Sequence, residues 1–209
     1  MIDLSLFPVF LTGALILGVT PGPDVAFTMA SAAKGGTRAG FAAALGIGTG
    51  CLVWAGLSAA GLAALLAASE HALLFVRLAG GFYLLALAAK TIEALDDPAM
   101  FQSKGAEGTM RAFRNGMATN LLNPKVGLFF IAFLPAFTNA SIGPVWSQVL
   151  ILGAVFSCTG TLMLFAYAAA AGAMRARLER SKSLRQAMNA VAATAFGALG
   201  LKLLMTRPT

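Results

Sequence analysis

The chain has 209 residues, of which 58% are hydrophobic and only 11% charged, with a formal net charge of +7. A soluble domain of this length could bury a core, but it could not hide so much apolar surface behind so few charges, so the composition points to an integral membrane protein. The basic residues lie in short segments between apolar runs and carry no interleaved aromatics, which argues against a nucleic-acid partner and for anionic membrane lipids.

Six stretches supply the roughly 20 mostly apolar residues that a spanning helix needs: 4–33, 41–68, 73–95, 113–137, 145–173 and 187–205. The expected fold is therefore an all-α integral membrane protein of six transmembrane helices. Residues 1–11 hold no Lys or Arg, so the first apolar run is expected to be retained rather than cleaved as a secretory signal. That run is about 30 residues long and would reach near 45 Å as one helix, against a hydrocarbon core of about 30 Å. It should be tilted or broken, and the segment TPGPD at 20–24, with Pro21, Gly22 and Pro23, offers the break. Gly22 suits the turn between two prolines and close approach by a ligand.

Small residues follow. Gly36 with Gly40 and Gly46 with Gly50 form small-xxx-small pairs, expected to let helices pack closely. The GIGTG segment is too incomplete for a dinucleotide fingerprint, since the third glycine is missing at Cys51 and no strand precedes it. The one long polar connector, 96–112, separates three spans from three and reads as a solvated linker. The chain is thus one transmembrane domain, with a first repeat over about 1–95 and a second over about 113–209. Lys and Arg number eleven in one alternating set of loops and three in the other, which places the richer set in the cytoplasm and both termini outside.

The fourth span carries a second interruption, NPKV at 123–126, containing Pro124. Laying Pro23-Asp24-Val25 on Pro124-Lys125-Val126 gives an offset of 101 positions, and the same offset lays the core of span two on span five. Three spans separate equivalent points, and an odd number reverses direction. The halves are therefore expected to be inverted repeats, with interrupted first and fourth helices and a substrate site near the membrane midplane.

Asp24 and Lys125 are the sharpest signals, because a charge at the bilayer centre costs at least about 2.5–3.5 kcal/mol and persists only if paired, hydrated or used. One expectation is a mutual ion pair that locks the halves together. The other makes them ligands: an amino acid is a zwitterion, so Asp24 can receive its ammonium while Lys125, helped by helix N-termini, receives its carboxylate. Asp24 could also carry the coupling proton. Thr20, Asn120 and Asn123 flank the breaks and are expected to cap exposed backbone or to touch the ligand. Phe129, Phe130, Phe133 and Phe137 are expected in the core or against lipid, Trp146 at the interface, and Tyr83 and Tyr167 as hydroxyl donors inside the bundle. Cys51 and Cys158 sit in apolar runs and read as small hydrophobes rather than a disulfide. His71 has no companion ligands, so no metal or other cofactor is expected, and no catalytic constellation suggests an enzyme.

TPGPD, KGGTRAGFAAALGIGTG leading into span two, and RNGMATNLLNPKVGLFFIAFLP in span four together resemble the LysE/RhtB amino acid exporter family, along the whole chain. The motif positions that match are Pro21, Gly22, Pro23, Asp24, Gly40, Gly46, Asn120, Asn123, Pro124 and Lys125. The resemblance implies efflux of amino acids such as lysine, arginine, homoserine, threonine or leucine across the bacterial inner membrane, driven by the ion gradient, and, weakly, a homo-oligomer. The expected function is a secondary transporter exchanging such an amino acid against protons. A passive channel and a non-transport scaffold are the competing alternatives.

Overall fold

The computed structural model describes residues 2–20, 22–68, 108–171 and 181–205, together with isolated positions 75, 78, 82, 85, 86, 88, 89, 92 and 93. The expectations for Pro21, His71, Tyr83, most of the span at 73–95, the connector up to residue 107 and the basic segment 172–180 lie outside the described residues. Within them every element is helical: α1 Phe7–Val19, α2 Pro23–Ala68, α3 Thr109–Leu121, α4 Pro124–Leu128, α5 Val145–Ala169 and α6 Lys182–Met205. Two helices are long and apolar enough to cross a membrane, or three if the bent pair around residue 122 forms one span.

The long first run is broken, as its length requires. Helix α1 ends at Val19 and a new helix begins at Pro23, where proline is tolerated because a first-turn N–H has no helical partner. A second change of direction lies inside α2. Gly36 has φ 77° and ψ 171°, a conformation open to glycine and strained for other residues. A Cβ placed on Gly40 would come within 2.6 Å of the Ala32 Cβ. Eight residues apart on a straight helix would be about 12 Å apart, so the chain folds back on itself and α2 is two arms, 23–35 and 37–68. Gly36 is therefore a turn residue and not the packing residue expected from the sequence: a Cβ there would meet nothing within 4 Å.

Lipid tails are as apolar as leucine, so helices in a membrane associate through close packing rather than through the hydrophobic effect. The second arm of α2 is built for this. Facing α3, a Cβ on Gly46 would lie 2.0 Å from the Phe113 carbonyl oxygen and one on Gly116 2.4 Å from that of Ala43; at Gly50 it would be 2.6 Å from the Asn120 Oδ1. From Ala43 with Gly116, through Gly46 with Met117, to Gly50 with Asn120 the numbers rise together, so the arm and α3 run in the same direction. Facing α5, Gly40 meets Ala168, Gly48 meets Thr161 and Ala55 meets Gly153, and here the numbers run oppositely. The two helices related by the offset of 101 thus lie antiparallel. Leu45, Leu52 and Leu57 of α2 and Ile151 and Leu162 of α5 are exposed, as apolar side chains that face lipid would be.

Beyond α4 the backbone widens and then tightens. Phe129–Phe133 forms a π turn, closed by the Leu134 N–H on the Phe129 carbonyl, and Leu134–Phe137 a 3-10 turn around Pro135, whose missing N–H cannot continue an α-helical ladder. The four phenylalanines are buried, and Phe129 stacks on Phe156 with ring centroids 4.4 Å apart. They form core, not a cage. At the end of this segment the fully buried Gln148 donates to the carbonyls of Asn139 (2.8 Å) and Gly143 (2.9 Å) and accepts from the Asn139 N–H (3.0 Å). Asn139 in turn donates to Asp3 (3.2 Å), and the Ser5 hydroxyl, this amide and the Ser5 N–H hold the Asp3 carboxyl below the usual carboxylate range.

Candidate functional site

The two breaks meet. Helix α1 stops with its last carbonyls unpaired, and the proline at position 21 has no N–H to offer the Leu17 carbonyl. Lys125, one residue into α4, reaches across the halves and donates from Nζ to the Leu17 carbonyl (3.2 Å) and to the Thr20 carbonyl (3.3 Å). A cation at the negative end of a helix dipole is favourably placed. Two further groups complete this end: the Thr20 Oγ1 donates to the Ile16 carbonyl (2.6 Å), and the Tyr167 hydroxyl of α5 donates to the Val19 carbonyl (3.3 Å). Gly22 lies beside the ammonium, since a Cβ there would stand 3.5 Å from Nζ.

Asp24 occupies the equivalent place, one residue into α2. Its carboxylate is held from the other half: Oδ2 accepts from Asn120 Nδ2 (2.8 Å) and Oδ1 from Asn123 Nδ2 (3.1 Å). Asn123 is also the N-cap of α4, its Oδ1 accepting from the Lys125 N–H (3.1 Å). Asn120 is fully buried behind the carboxylate; Nδ2 also approaches Cys51 Sγ (3.4 Å), and Oδ1 finds no partner among the described residues. Its room comes from Gly50, where any side chain would collide with it. Thus Thr20 caps backbone, Asn123 caps backbone and also holds the acid, and Asn120 holds the acid.

Among the described residues Asp24 and Lys125 form no ion pair with each other, and their polar contacts are those just given. Both instead line one cavity of about 60 Å³. Its walls add Thr20, Gly22 and Asn123 from the breaks, and Ile47, Phe156 and Leu164 from α2 and α5. At about 10–15 Å³ per water, this is room for roughly four to six waters. Sequence reasoning did not find Ser157, Thr161, Ile47 or Leu164, which line the cavity from helices that are apolar on every side. Cys51 is buried and Cys158 exposed, both as free thiols. No cluster of metal-ligating side chains occurs among the described residues.

A mostly apolar cavity that carries two ionisable side chains and is walled by helix ends inside an apolar bundle fits a membrane translocator. The chain belongs to the LysE type translocator family, whose family model matches residues 15–207. It is similar to a leucine efflux protein of Salmonella typhimurium, 30% identical over 138 residues that make up 63% of each chain. The alignment thus spans somewhat less than two thirds of that relative's length. It is also similar to the uncharacterized membrane proteins YahN of Escherichia coli, at 32% identity over 69% of this chain and 66% of the relative, and YrhP of Bacillus subtilis, at 28% over 71% and 75%. No solved structure matches the chain.

Proposed function

We propose that this protein exports an amino acid, which binds as a zwitterion between Asp24 and Lys125. The observation that carries the proposal is that two side chains of opposite charge face one cavity without forming an ion pair among the described residues. Two charges held only by amides and backbone carbonyls in an apolar bundle are costly, and a ligand that brings the complementary pair lowers the cost. The substrate ammonium takes the remaining lone pairs of Asp24, whose orientation Asn120 and Asn123 fix. The substrate carboxylate takes the third N–H of Lys125, near the N-terminus of α4.

Alternating access requires the halves to move so that the cavity opens to one side of the membrane at a time. The antiparallel contact of α2 with α5 and the reciprocal holding of Asp24 and Lys125 support six spans arranged as two inverted repeats. Protons are the proposed driving ion: the ammonium of Lys125 already occupies the helix C-terminus where another transporter would place a metal cation, and Asp24 is free to exchange substrate for a proton. The proposed setting is the bacterial inner membrane with both termini outside.

The test is efflux of preloaded radiolabelled amino acids from cells expressing the wild type, with and without a protonophore. Efflux of one amino acid that stops with the protonophore supports the proposal. Efflux that continues unchanged down a gradient means a channel, and no movement of any amino acid overturns the substrate class.

A further inference from the structure

We propose that Thr161 sets the choice among neutral amino acids, in a cavity that rejects a second charge on the substrate. This rests on the zwitterion site above and concerns the part of the cavity beyond it. Among the described residues the hydroxyl donors of the lining are committed with one exception. The Thr20 hydroxyl is spent on the Ile16 carbonyl (2.6 Å), the Ser157 hydroxyl on the Gly48 carbonyl (2.8 Å), and the Asn123 amide on Asp24 and on the Lys125 N–H. The Thr161 hydroxyl alone of these makes no hydrogen bond among the described residues.

Thr161 lies across from Gly48, whose Cβ, if it had one, would stand 2.3 Å from Oγ1. The missing side chain is what keeps that hydroxyl in place and the cavity open beside it. The same wall carries Ile47, Phe156 and Leu164, all apolar. Asp24 and Lys125 are the only charged residues of the lining among the described residues, and the substrate's own head group uses both. The side chain of lysine or arginine would enter a mostly apolar wall with no further carboxylate among the described residues to pair it, which is costly. A neutral side chain meets no such penalty. An aliphatic one packs on Ile47 and Leu164; one with a short hydroxyl can pair with Thr161, and a site that hydrogen-bonds a hydroxyl discriminates against the analogue lacking it.

The experiment uses the purified full-length protein in proteoliposomes, with counterflow of a labelled neutral amino acid competed by threonine, valine, lysine and arginine. Wild type, Thr161→Val and Thr161→Ser are compared. In the wild type, lysine and arginine compete at least about 10-fold more weakly than the neutral pair. Thr161→Val lowers the threonine-to-valine preference about 10-fold, the worth of one hydrogen bond, and Thr161→Ser restores it. Equal competition by lysine, or a Thr161→Val that scales threonine and valine alike, overturns this inference while leaving the zwitterion site standing. If the wild type moves no amino acid, both fall.

Discussion

The two breaks sit at matching places in the two halves and carry opposite charges, yet they are stabilised differently. The second is largely closed by its own chain: Asn123 caps α4, and the Leu122 N–H returns to the Ala118 carbonyl. The first has a local closure too, the Thr20 N–H and hydroxyl both returning to the Ile16 carbonyl, but its Leu17, Val19 and Thr20 carbonyls are met from elsewhere. Helix α1 ends in carbonyls that need donors, and two of its three visitors, Lys125 and Tyr167, come from far along the chain. One half is thus self-capped and lends its lysine to the other, while its asparagines hold the other's aspartate. An interruption that depends on the opposite half for its hydrogen bonds couples local backbone structure to the packing of the halves.

This asymmetry can be broken from either side. Asp24→Asn and Lys125→Met should each reduce transport by about 100-fold, the scale for removing one partner of a buried charge pair. Only Lys125→Met should also lower thermal stability, by about 1–3 kcal/mol for each helix-end carbonyl left unpaired; equal melting temperatures for the two variants would show that the first break does not need its lysine. Gly46→Ala forces the α3 backbone away from Phe113 and is expected to cost about 1–3 kcal/mol, visible as a loss of folded protein in detergent. Asn123→Ala removes the cap of the second break, worth about 1 kcal/mol, together with one donor to Asp24. It should therefore weaken both stability and substrate affinity, and an effect on stability alone would separate the cap from the site. Tyr167→Phe deletes one partly exposed hydrogen bond to the first break and should cost about 0.5–1 kcal/mol by thermal melting, with transport retained.

Much of this was legible in the sequence because proline and intramembrane charge leave few options. Pro23 before Asp24 and Pro124 before Lys125 mark both breaks and their register. The hairpin at Gly36 was not legible: a glycine in an apolar run reads equally as a packing residue or a turn, and only its φ of 77° separates them. Nor did the sequence choose between a direct Asp24 to Lys125 pair and the reciprocal arrangement, since asparagines and backbone carbonyls serve as partners for either charge. Thr161 and Ser157 were missed for a different reason. An α-helix surrounded by lipid and by other helices carries no polar stripe to show which side faces a cavity, and α5 is apolar all round.

The central claim is that Asp24 and Lys125 together receive a zwitterion, and equilibrium binding to the purified protein tests it most directly. A labelled amino acid that the protein transports is competed by its own unlabelled form, by its N-acetyl derivative and by its carboxamide. Blocking either end removes one of the two charges, so both derivatives should compete at least about 100-fold more weakly than the free amino acid. An N-acetyl derivative or a carboxamide that competes as well as the parent would contradict the account, because a site built on both charges cannot ignore the loss of one.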